Sequence, residues 1–166
     1  MSHVSLDRDP FVDLFNRRYV LDEVERHVRR YRRHRRPFSL LIVGIHNLAW
    51  VDDTYGQAVA DRALGDLADL ISANIREVDV WFLCTRDHFI VVMDETDARA
   101  VRTVVKRLAA VVESSRPNLG PDGVILDMSF GTASCPDDAE GAEALLRAAG
   151  FLSEKTRHPQ RESWVS

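Results

Sequence analysis

Several kinds of residue are scarce in this chain of 166 residues, and each scarcity excludes a class of protein. There are two cysteines, Cys84 and Cys135, and both lie in apolar stretches. That excludes a disulfide framework and leaves buried free thiols in a reducing compartment as the expectation. No apolar run approaches the ~20 residues of a membrane-spanning helix, so no membrane span is expected. The first residues hold no apolar segment of signal-peptide type. His27, His34 and His158 show no metal-ligand spacing, and no metal or cofactor is expected. Glycine is absent from one place where it would help. The stretch WFLCTRDHFIVVM, residues 81–93, reads as two short strands joined at Thr85, Arg86, Asp87 and His88. A tight hairpin favours Gly, Asn or Asp at its tip, and β-branched Thr resists the required backbone angles.

What is present describes one globular domain. Apolar residues make up 45% and charged residues 29%, ordinary values for a soluble chain with its own core. The net charge of −4 gives no overall attraction to nucleic acid, and none is expected as a partner. Charge is nevertheless uneven, with nine Arg between residues 17 and 36. Residues 1–16 read as irregular and 17–36 as an Arg-rich lead-in helix that Pro37 ends. FSLLIVGI (38–45) is a continuous apolar run of strand length, hence a buried central strand. Helical spacing of apolar residues follows over 59–75, then the hairpin over 79–93, then a second helical pattern from Val101 to Val112. Residues 114–123 read as a loop, 124–134 as a half-buried alternating strand, and 139–155 as a last helix. This order predicts an α+β fold: an antiparallel sheet with helices packed mainly on one face. The main domain is expected over 37–158, with 159–166 as a tail.

The chain resembles the GGDEF family, the diguanylate cyclase fold, from about residue 9 to 161. DPFVDLFNRR (9–18) is similar to the family's opening stretch, with Val12 and Asp13 departing. DDTYGQAVAD (52–61) is similar to the family's Asn-Asp-Thr-Tyr-Gly-His-x-x-Gly-Asp. The resemblance implies a nucleotidyl-cyclase, palm-like sheet flanked by helices, in a bacterial cytoplasmic protein. The five-residue signature of the family falls on Thr85, Arg86, Asp87, His88 and Phe89, where only Asp87 and Phe89 match. The two family glycines let the backbone approach phosphates closely; Thr85 and Arg86 bring side chains into that space. His88 replaces an acid and is a poor ligand for Mg²⁺, which prefers hard oxygen donors. The family's first-strand Asp-Ile-Asp is Gly44, Ile45 and His46 here, without a carboxylate. The resemblance places guanine reading on Asp52, in place of Asn, and on Asp61; the plainer reading of Asp52 is a cap or turn residue. The closing helix matches the family's phosphate-attending positions at Arg157, Gln160, Arg161 and Glu162, with its glycine lost. These changes imply no catalytic residue and no turnover of GTP. In that case Asp87 hydrogen-bonds the turn, Arg86 faces solvent, and Arg86→Ala shifts stability by less than ~0.5 kcal/mol.

One family motif matches in full. Arg76-Glu77-Val78-Asp79 is similar to the Arg-x-x-Asp site where cyclic di-GMP binds away from the active site, and Arg107 matches an arginine that completes it. Composition alone yields roughly two such matches in a chain of this kind, so the position five residues before Thr85 is what carries weight. An Arg fork pairs with the O6 and N7 edge of guanine, and a carboxylate accepts from its N–H groups. The plainer alternative is a surface ion pair worth ~0–1 kcal/mol. The Arg-rich helix could bind anionic lipid or nucleic acid, but a solvated lead-in helix is the preferred reading. The function implied is a catalytically inactive GGDEF-type receptor for cyclic di-GMP, with a protein partner or a homodimer. The alternative is a scaffold that needs no nucleotide, and an active cyclase is the last choice.

Overall fold

A computed structural model of the chain describes residues 10–115 and 124–150, with residues 10–17 as backbone only. Its elements are α1 (Pro10–His34), β1 (Phe38–Ile45), α2 (Leu48–Tyr55), α3 (Gln57–Ala73), β2 (Val80–Thr85), β3 (His88–Asp94), α4 (Ala98–Ser115), β4 (Met128–Cys135) and α5 (Ala142–Ala148). The four strands form one antiparallel sheet in the order β2-β3-β1-β4. β1 is central and buried at all eight positions. That explains its unbroken apolar run: both faces of the strand are covered, so no polar alternation survives.

Alternate residues of β1 feed two cores. Leu41, Val43 and Ile45 pack with Phe89, Val91 and Trp81 beneath α2, α3 and α4. Phe38, Leu40 and Ile42 pack with Ile90, Val92 and Phe82 beneath α1 and α5. Helices therefore cover both faces, which corrects the expected one-sided arrangement. The Arg-rich α1 supplies one of the two layers through Val20, Val24, Val28 and Tyr31.

Other boundaries differ from the sequence reading. α1 begins at Pro10, so residues 10–16 are helical and not irregular; proline is well suited to a first helical turn, where its missing N–H costs nothing. The short α2 was not expected, because eight residues with two adjacent acids give little periodic signal. Gly56, at φ 94°, separates it from α3. That backbone angle suits glycine alone among ordinary residues. β4 starts at Met128, so the expected strand lacks residues 124–127. α5 ends at Ala148. The positions 116–123 and the closing stretch with Arg157, His158, Gln160, Arg161 and Glu162 lie outside the described residues.

Candidate functional site

The hairpin tip is held by side chains in place of glycine. Thr85 pairs with His88 while Leu83 pairs with Phe89, so Cys84 is an extra residue on β2, a bulge that tightens the twist. Arg86 and Asp87 make the turn. The Asp87 carbonyl accepts from the Ile45 amide at 2.8 Å, fastening the tip to the end of β1. The Thr85 hydroxyl donates to Asp87 Oδ1 at 2.7 Å. His88 Nδ1 lies 2.9 Å from the same oxygen and 3.0 Å from Thr85 Oγ1. Burial pushes the Asp87 carboxyl up, but the hydrogen bond and charge of His88 and the Thr85 hydroxyl outweigh it and hold its pKa at about 2. The ionised carboxylate can only accept, so the Nδ1 proton faces Asp87.

Arg86 does not face solvent. It crosses to the helices, where Nη1 donates to Asp52 Oδ2 at 2.8 Å and Nη2 donates to Asp52 Oδ1 at 3.1 Å and Asp61 Oδ1 at 2.6 Å. Its side chain is 13% exposed. The expected surface position is thus corrected: α2 and α3 hold two carboxylates opposite the tip, and a charge-assisted fork satisfies both. Asp52 lies inside α2, with its side chain turned to this bridge and not to a helix cap. The Arg86 Nε is buried and has no hydrogen-bond partner among the described residues.

Gly44 sits in register between His88 on β3 and Ser129 on β4. A Cβ placed there would lie 3.0 Å from Ser129 Oγ and 3.5 Å from His88 Nε2. The imidazole and the hydroxyl therefore border the space in which a side chain at 44 would project. His46 hydrogen-bonds through its amide to the Asp127 carbonyl at 2.7 Å. Magnesium wants several hard oxygen donors in near-octahedral array. An imidazole and one hydroxyl do not fit it, and no group of three or more His, Cys, Asp or Glu among the described residues is placed to hold a metal.

Arg76 and Asp79 form a closed clip at the junction of α3 and β2. The Arg76 amide donates to Asp79 Oδ2 at 2.8 Å and its Nη2 to Oδ1 at 2.9 Å. The Asp79 side chain is fully buried, while that of Arg76 is half exposed. Arg76 Nη2 also reaches the Asp94 carbonyl at 2.6 Å and Thr96 Oγ1 at 2.9 Å. The pair is thus more than a loose surface bridge: Asp79 is turned inward, and Arg76 keeps half of its side chain at the surface. Arg107, on α4, donates to the Asn74 carbonyl at 2.7 Å and stays exposed. Asp94 and Thr96 escaped the sequence reading because they act through a carbonyl and a single hydroxyl, which no spacing advertises. Ser129 escaped because cross-strand register decides what faces Gly44.

Comparison with known proteins agrees with this architecture. A family model described as diguanylate cyclase, GGDEF domain, matches residues 6–163. The response regulator PleD of Caulobacter vibrioides is 25% identical over 143 residues, which is 85% of this chain and 32% of PleD. The chain spans about a third of the length of that relative. The GGDEF domain of YfiN from Pseudomonas aeruginosa superposes with a TM-score of 0.74 at 21% identity, over 90% of this chain and 92% of that one. The GGDEF domain of DgcB from Caulobacter crescentus, solved in complex with c-di-GMP, gives 0.66 at 18% identity, over 77% and 76%. At such identities the two structures speak for the fold alone. The match over nearly the whole sequence shows that the chain belongs to the GGDEF domain family of diguanylate cyclases.

Proposed function

We propose that this GGDEF domain does not condense GTP and serves as a regulatory module that binds cyclic di-GMP. The observation that carries the first half is the Arg86 fork on Asp52 and Asp61. Two carboxylates that would read guanine are already neutralised by a side chain of the protein itself. His88 beside Gly44 removes the oxygen donors that a metal-bound triphosphate needs. Losing one electrostatic contact to a transition state costs ~10²–10³ in rate, and here several are missing together.

The second half rests on Arg76 and Arg107. Arg107 binds the carbonyl of Asn74, two residues before Arg76, so the two cations share one surface. The complex of DgcB with c-di-GMP supports the fold's suitability for this ligand. Asp79 then positions Arg76 and does not touch the base, since its carboxylate is fully buried. The same burial favours the second reading, a protein-docking module without nucleotide. Calorimetric titration with cyclic di-GMP separates the two. The wild type should bind, and Arg107→Ala should weaken binding about five- to tenfold, the size of a charge-assisted phosphate contact. No heat at high micromolar ligand would leave the docking module. Incubation with GTP and Mg²⁺, read by chromatography, should give no product above a blank; steady turnover would overturn the inactive reading.

A further inference from the structure

The net charge hides a segregation. Residues 17–36 carry nine Arg against Asp22, Glu23 and Glu25, whereas the rest of the chain holds 13 Lys and Arg against 23 acids. The fold turns this into a surface. Val20, Val24, Val28 and Tyr31 of α1 face the core, which leaves the arginines from Arg18 onward on the outside. Arg26 pairs with Glu23, Arg30 with Asp94 and Arg36 with Glu95. Arg29, Arg32 and Arg33 are exposed and have no ion pair among the described residues. An open groove of about 450 Å³ is lined by Arg26, His27, Arg29, Arg30, Arg33 and His34, without a single carboxylate.

We propose that this face of α1 docks the phosphate backbone of duplex DNA. Arg26 to Arg33 span two helical turns, roughly 10 Å along the axis, so neighbouring phosphates can be met by successive arginines. Arginine offers a planar fork that engages phosphate oxygens in pairs. A planar anionic membrane fits less well. The large apolar side chains that stand exposed among the described residues are Trp50, Tyr55, Val78 and Ile125, none of them on α1. Among the described side chains of this face none can enter an acyl layer, and a like-charged plane would repel the acidic remainder of the chain. Single strands need aromatic platforms, and among the described side chains of α1, residues 18–34, none stands exposed. A duplex is narrow enough to engage the unpaired Arg29, Arg32 and Arg33 without covering the rest of the acidic chain. Binding through phosphates alone is independent of sequence and steeply dependent on salt.

The test is fluorescence anisotropy with a labelled duplex of random sequence, using the whole chain. About four phosphate contacts predict a loss of roughly 10²-fold in affinity between 50 and 200 mM salt. The variant Arg29→Glu/Arg32→Glu/Arg33→Glu should lose at least tenfold at low salt. Its control, Arg99→Glu/Arg102→Glu/Lys106→Glu, makes the same charge change on exposed positions of α4 and should bind as the wild type. Circular dichroism and thermal melting of both variants show that each is folded. Equal losses in the two variants would overturn the proposal, as would no wild-type binding at 50 mM salt. Tighter binding to vesicles containing a fifth of anionic lipid than to the duplex would also overturn it and assign the face to membranes.

Discussion

Arg86 and Asp87 are adjacent in the turn and do opposite things. Asp87 stays with its own hairpin, while Arg86 leaves it to join α2 and α3. Arg86→Ala would remove the cation that Asp52 and Asp61 share and leave the two carboxylates facing each other across the vacated space. The bridge is partly wetted at Asp61, which is 37% exposed, so the cost should be about 1–3 kcal/mol, below that of a fully buried pair. Urea denaturation measures it. Adding Asp52→Asn and Asp61→Asn to Arg86→Ala should recover part of the loss, since the two like charges are then gone. A change under ~0.5 kcal/mol would return Arg86 to the ordinary surface class. Asp87 predicts a pH effect. Its carboxyl moves from 3.8 to about 2 on folding, so its contribution is present above pH 3.8 and is lost as pH falls through 2. Urea midpoints of the wild type should therefore decline over that window, and Asp87→Asn should flatten the decline. The turn role of Asp87 was legible in the sequence because it is a local hydrogen bond. The role of Arg86 was not, because its partners lie 34 and 25 residues away.

At the scale of elements, the clip between α3 and β2 has an asymmetry that bears on any ligand experiment. Asp79 is fully buried and Arg76 half exposed. Removing Asp79 leaves an arginine that can turn toward water. Removing Arg76 leaves a buried carboxylate with, among the described residues, only the residue 76 amide as donor, and an uncompensated buried charge is the costlier outcome. Arg76→Ala should thus destabilise by about 2–4 kcal/mol and Asp79→Ala by less, measured by denaturant titration. The reverse order would mean that the pair opens in solution and exposes its carboxylate. Arg107→Ala breaks one exposed bond to Asn74 and should leave stability nearly unchanged, which makes it the cleaner probe of ligand binding. The motif itself was plain in the sequence. Its closure was not, because Asp94 and Thr96, 18 and 20 residues on, supply the acceptors that pin Arg76.

For the whole molecule, the close fit of α5 against β4 is the most sensitive joint. A Cβ on Gly131 would collide with the backbone carbonyl oxygen of Ala149. Backbone cannot yield as a flexible side chain can, so Gly131→Ala must displace the end of α5 from the sheet. Overpacking of this kind typically costs ~1–3 kcal/mol. Thermal melting should register it, with hydrogen exchange quickening first in Ala142–Ala148. An unshifted melting temperature would show that α5 docks more loosely than the structure describes.

The order of elements apart from α2, the buried central strand and the family were set by local pattern alone: apolar period, turn residues and motifs in register. These signals survive in one dimension because each depends on neighbours within a few residues. The tertiary structure alone decided the second helical layer, the short α2, and the company kept by each residue of the candidate site. An unbroken apolar strand states that both faces are covered but not by what. An arginine in a turn states its charge but not which distant carboxylates will meet it. Only the folding of α2 and α3 over the sheet brings Asp52 and Asp61 to Arg86, and only strand register sets His88 and Ser129 beside Gly44.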